Sequence, residues 1–81
     1  MASVVKLNDV WAMLNNCAAG HLRKQSREYW IVTYNKKTYR SLPLGPHGHR
    51  HNPEIESGHV RSLVRQLGIS SECVEIYLDL S

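Results

Sequence analysis

Eighty-one residues, 42% of them hydrophobic and 21% charged, are enough for one small core over residues 1–81 and leave no room for a second. That balance argues against a disordered polyelectrolyte, and no run approaches the ~20 apolar residues of a membrane-spanning helix. The formal charge of +3 conceals a sharper division. Between His21 and His51 stand Arg23, Lys24, Arg27, Lys36, Lys37, Arg40 and Arg50 against Glu28 alone, 7 − 1 = +6, whereas from Ser70 onward Glu72, Glu75 and Asp79 give −3. A basic middle and an acidic tail suggest one surface for an anion and another facing elsewhere, with an idle, solvated basic face as the plainer alternative.

The N-terminal stretch MASVVKLNDVW carries no signal-peptide core, which leads us to expect a soluble, cytoplasmic protein. Cys17 and Cys73 show no CxxC spacing, so neither a zinc knuckle nor a disulfide framework is indicated. Two separate buried thiols in a reducing compartment are expected instead. A domain this small is only marginally stable, and a homodimer or a bound partner would support it.

In chain order, Asn8 reads as an N-cap with Asp9 in the first turn, ahead of a helical face of Val10, Trp11, Leu14 and Cys17, extended by Ala18. Trp11 is read as core, and Gly20 as the stop. His21 to Ser26 is polar, with Leu22 its one anchor, and reads as a short edge strand. Arg27 to Tyr34, REYWIVTY, is the strongest strand signal. Its alternation sends Tyr29, Ile31 and Thr33 to one face and Trp30, Val32 and Tyr34 to the other. Asn35 and Lys36 sit where a tight turn belongs, and Lys37 to Leu44 returns as the hairpin partner, limited at its end by Pro43. Gly45 to Pro53 is a loop by composition.

The segment from Glu56 to Ile69 is the clearest helix. Val60, Leu63, Val64 and Leu67 fall at i, i+3, i+4 and i+7, Ser57 can cap the start, and Gly68 with Ile69 can close the end. Arg61, Arg65 and Gln66 occupy the other face. A last helix, capped by Ser70 or Ser71, presents Cys73, Ile76, Tyr77 and Leu80 at the same spacing. The order implies an α+β domain, a small two- or three-stranded antiparallel sheet with helices packed on one face.

Few constellations carry chemistry. His47, His49 and His51 alternate in the loop and could offer imidazoles to a metal, but Arg50 sits inside the run and exposed or phosphate-binding histidines fit the loop better. No metal site and no cofactor are expected. His59 lies near the positive end of the second helix, where Ser57, Gly58 and His59 could offer backbone N–H groups to a phosphate; a structural histidine is the alternative. No GxSxG, HExxH, P-loop or dinucleotide fingerprint occurs.

The short helix, the aromatic strand, the return strand ending in Pro and His, and the segment SGHVRSLVRQLGIS together resemble the HicA-type toxin family. The resemblance runs from about Val10 to Leu80. It implies a fold similar to double-stranded RNA-binding domains, cleavage of messenger RNA, and a cognate antitoxin protein as partner. The family's second strand usually opens with Gly-Ser-His or Gly-Gly-His, and that histidine is catalytic. Here the stretch is Gln25-Ser26-Arg27-Glu28-Tyr29-Trp30, so Ser26 matches the small residue, Trp30 the aromatic, and Arg27 takes the place of the histidine.

Two readings follow. In one, the chain binds RNA through Arg23, Lys24, Arg27, Lys36, Lys37, Arg40, Arg50, Arg61 and Arg65, with His59, and more weakly His21 or the loop histidines, as proton-transfer candidates should it cleave. In the other, it is a protein-interaction module whose acidic last helix or sheet edge docks a partner.

Overall fold

A computed structural model of the chain describes residues 4–43 and 53–78. The loop positions His47, His49, Arg50 and His51, the strand-end Leu44 and the final-helix Leu80 lie outside the described residues. The elements are β1 (Val4–Lys6), α1 (Leu7–Cys17), β2 (Leu22–Gln25), β3 (Tyr29–Tyr34), β4 (Lys37–Pro43), β5 (Glu54–Glu56), α2 (Ser57–Leu67) and α3 (Ser71–Tyr77). Two antiparallel sheets result, one of β1 and β5, the other in the order β2-β3-β4. The expected α+β class is the observed one, with three helices and a three-stranded sheet.

The first sheet was not legible in the sequence. β1 and β5 have three residues each, too few for an alternation to stand out. They pair as Val4–Glu56, Val5–Ile55 and Lys6–Glu54, and each runs directly into a helix. The Leu7 N–H donates to the Pro53 carbonyl at 2.9 Å, which ties the start of α1 to the entry of β5. Consequently the N-cap position of α1 is Lys6, not Asn8, and that of α2 is Glu56, not Ser57. Ser57 is instead the first helical residue and is buried.

The central strand behaves as its alternation requires. Val32 is fully buried and Trp30 and Tyr34 pack against the core, while Tyr29, Ile31 and Thr33 lie on the other face. The strand itself begins at Tyr29; Arg27 and Glu28 belong to the turn before it. Ser26 holds that turn, its N–H and its hydroxyl both donating to the Tyr29 carbonyl, at 2.8 and 2.7 Å. At the other end Asn35 and Lys36 have φ of 53° and 64°, two consecutive left-handed residues that match the twist of a two-residue hairpin. Between Trp30–Leu42 and Val32–Tyr39, β4 advances three residues where β3 advances two. This bulge lets Tyr39 and Leu42 both point into the core and leaves Arg40 and Ser41 exposed opposite Ile31. Burial raises the Tyr39 phenol above its ordinary range.

The core is one cluster. α1 contributes Leu7, Val10, Met13 and Leu14, the sheet Val32, Tyr39 and Leu42, and α2 Val60, Leu63 and Leu67. Each fully buried aliphatic side chain contributes roughly 1.5–3 kcal/mol relative to an exposed one. α2 ends as its sequence demands. Gly68 is left-handed (φ 70°), its N–H reaches the Arg65 carbonyl, and the Ile69 N–H reaches that of Val64 at 3.0 Å, the two bonds of a Schellman closure.

Three further expectations fail. Leu22 is no anchor, being 69% exposed on the edge strand. α3 turns Val74 and Leu78 inward, leaving Ile76 75% exposed, so the expected stripe of Ile76 and Tyr77 faces outward. With only seven residues the helix shows two competing spacings, and docking on α1 selects Val74 and Leu78. Finally, Cys17 and Cys73 are not separate thiols but a disulfide with Cα atoms 5.8 Å apart, joining α1 to α3 across 56 residues.

Three stability outcomes follow from this architecture. Replacing both cysteines by serine should cost about 2–4 kcal/mol, because the unfolded chain regains the freedom of a long loop. Urea curves with and without a thiol reductant measure it, and superimposed curves would show that the bond constrains nothing. Leu63→Ala should lose on the order of 2–5 kcal/mol through its cavity, and an unshifted thermal melt would contradict the packing of α2. Lys36→Gly should instead raise stability by about 0.5–1 kcal/mol, since glycine occupies the left-handed region without strain. A lower melting temperature would show that the turn is not the one described.

Candidate nucleic-acid interface

The sheet register assigns each basic side chain to a face. Residues opposite one another in an antiparallel pair share a face, so Arg23 with Val32 lies on the core side and Lys24 with Ile31 on the outer side. Arg23 is held there. Its guanidinium carbon sits 4.2 Å from the centre of the Trp11 ring, and it donates to Asn15 Oδ1 at 3.0 Å. Partial burial lowers its pKa from the ordinary value, although arginine remains charged throughout the working range. Trp11 also meets Trp30 edge to face, with centroids 5.1 Å apart. The reading of Trp11 as a packing residue therefore fits, with an arginine laid over its exposed side.

Lys24 and Arg40 flank Ile31 on the outer face from either edge of the sheet. Arg27 is exposed at the apex of the β2–β3 turn. Lys36 stands in the hairpin turn at the opposite end, about 20 Å away along a six-residue strand. Lys37 begins β4, and its ammonium lies close to Gly68: a Cβ there would be 3.3 Å from Nζ. A cation at that end suits the negative pole of α2. Arg61 and Arg65 are exposed on α2. Both border an open groove of about 860 Å³ between α2 and α3, lined also by Val64, Ile69, Val74 and Tyr77. The basic residues thus do not form one cluster. They divide among the outer sheet face, the two turns and α2.

Their pairing is sparse. Lys6 meets Glu54 at 3.6 Å, an exposed contact between β1 and β5. Lys24, Arg27, Lys36, Lys37, Arg40 and Arg65 make no ion pair among the described residues.

The two described histidines do not converge. His21 directly precedes β2 at the hairpin end of the sheet, because Leu22 pairs with Thr33. Its Nδ1 lies 2.9 Å from the Ala18 carbonyl, which can only accept, so Nδ1 carries the proton. Nε2 is enclosed and has no hydrogen-bond partner among the described residues. One ring nitrogen of His21 is thus engaged and the other enclosed. α2 meets the same end of the sheet through its C-terminus, where the Gln66 amide donates to the Thr38 carbonyl at 2.9 Å. His59 lies near the opposite end of α2, partly exposed, about 14 Å along the axis from Gly68. Gly58 beside it has open space where a Cβ would stand.

Sequence reasoning named these cations but could not see which of them share a face, because the bulge in β4 and the strand register decide it. It also passed over the outer-face hydroxyls Thr33 and Thr38, whose Oγ1 atoms are 3.4 Å apart. Among the described residues no group of histidine, cysteine and carboxylate side chains could hold a metal ion, and no helix is long and apolar enough to cross a membrane. No protein-family model, no curated protein and no solved structure matches the chain.

Proposed function

We propose that this domain binds RNA through its basic sheet and hairpin, with the first turn of α2 adding backbone N–H groups. The observation that supports this reading most is the set of five sheet and hairpin cations, Lys24, Arg27, Lys36, Lys37 and Arg40, that make no ion pair among the described residues. Against them the sheet segment offers only Glu28. A polyanion gains from them by releasing its condensed counterions. The resemblance to the HicA-type toxin family points to the same ligand and adds an antitoxin protein as a partner.

Binding without turnover is the form of this reading we favour. Arg27 stands where that family places its histidine, and arginine stays protonated, so it cannot accept a proton from a ribose hydroxyl. It can stabilise charge on a phosphate. Of the described histidines, His59 alone presents itself near a helix N-terminus, and it is the described residue we favour for any proton transfer, with His47, His49 and His51 outside the described residues.

Salt titration of RNA binding tests the proposal. The logarithm of the association constant should fall linearly with that of salt concentration, and neutralising Lys36 and Lys37 together should flatten the slope by about one to two units. Unchanged affinity and slope would show that the hairpin is not part of the binding surface.

A further inference from the structure

The outer face of the three-stranded sheet is a surface for which the packing described above finds no use. Its rows can be read from the register. Leu22, Thr33 and Thr38 form one row; Lys24, Ile31 and the bulge pair Arg40–Ser41 form the next; Tyr29 and Pro43 form the third. Lys24, Arg40, Ser41 and Leu22 are exposed, and Tyr29, Ile31, Thr33 and Thr38 are partly so. The buried side chains of β3 and β4 all point the other way, to α1 and α2. The outer face therefore presents an aromatic ring on the central strand, an aliphatic platform beside it, a cation at either edge and three hydroxyls.

We infer that this face is a binding site for single-stranded RNA, with a base stacked on Tyr29 and the backbone held by Lys24 and Arg40. The inference rests on the RNA-binding reading above and goes further by naming the site and the form of the ligand. A duplex conceals its base faces and can meet such a surface only through phosphates. An unpaired strand can lay a base on an aromatic ring while cations on both sides follow its phosphates, and every base has a face to offer. The two edge cations stand on the two outer strands, with Ile31 between them. Two neighbouring strands lie ≈ 4.7–4.9 Å apart, so the cations are separated by about 10 Å at the backbone, within reach of successive phosphates through their long side chains. Thr33, Thr38 and Ser41 supply hydroxyls able to bond a ribose 2′-OH, which favours RNA over DNA.

Fluorescence anisotropy with an unstructured RNA of about twelve nucleotides, the same sequence as DNA, and an RNA duplex of about sixteen base pairs tests this. The single-stranded RNA should bind most tightly. Tyr29→Ala should weaken it by about five- to a hundredfold without changing the salt slope, whereas Tyr29→Phe should keep the affinity because the ring face is retained. Lys24→Gln with Arg40→Gln should flatten the slope by about 1.4, at roughly 0.7 per phosphate contact of a single strand. A thermal melt accompanies each variant, and should Tyr29→Ala not fold, the Lys24/Arg40 variant decides alone. Equal affinity for the duplex, or a slope untouched by losing both edge cations, would overturn the site while leaving RNA binding intact. Equal affinity for the DNA strand would overturn the assignment to RNA. Absence of binding to every RNA would instead overturn the reading on which the site depends.

Discussion

Val60, Leu63 and Leu67 on α2 are fully buried and must meet apolar surface, and the sheet provides it on one face alone. Val32, Tyr39 and Leu42 line that face, and the bulge in β4 is what brings Tyr39 and Leu42 to it together. In an unbroken strand these two residues, three apart, would face opposite ways, because side chains alternate strictly there. Seating α2 here has a second consequence. Its C-terminus meets the start of β4, where Gln66 takes the Thr38 carbonyl and the Lys37 ammonium approaches Gly68. The position of α2 therefore sets which sheet face is closed, and so which cations are left on the open one.

α1 meets the closed face through Trp11, which packs on Trp30, and α3 packs against α1. A helix of seven residues gains little from its own hydrogen bonds, since nucleation is costly and propagation short. Val74, Leu78 and the Cys17–Cys73 bond hold it in place. The β1–β5 ribbon fixes the entries of α1 and α2 relative to one another through three residue pairs and the Leu7–Pro53 bond. These restraints are local, few and distributed, which suits a core of this size. None of them reaches the outer sheet face.

Much of this was readable from local pattern. The stripe of α2, the Gly68 closure, the hairpin at Asn35–Lys36 and the two faces of β3 all follow from spacing or from backbone preference within a few residues. What escaped was non-local. The disulfide joins positions 56 residues apart and leaves no mark in either helix. β1 and β5 are strands because they meet each other, Val4–Lys6 and Glu54–Glu56 being too short for a local pattern to show it. α3 offered Ile76 and Tyr77 or Val74 and Leu78 to the core, and only α1 could choose between them. The site shows the same division. Its cations stood out in the composition, but Arg23 and Lys24 are neighbours sent to opposite faces, one bound to Trp11 and Asn15, the other open. Register, which composition cannot supply, separates a structural arginine from a lysine free to meet a ligand.

The central claim is that the open sheet face, and not the groove between α2 and α3, meets the nucleic acid. Titrating the isotopically labelled domain with a short single-stranded RNA and following the amide resonances by NMR tests it directly. The largest shifts should fall on Lys24, Tyr29, Ile31, Thr33 and Arg40, with Val74, Ile76 and Tyr77 unmoved. Shifts concentrated on Val64, Ile69, Val74 and Tyr77, with the sheet amides unchanged, would contradict it.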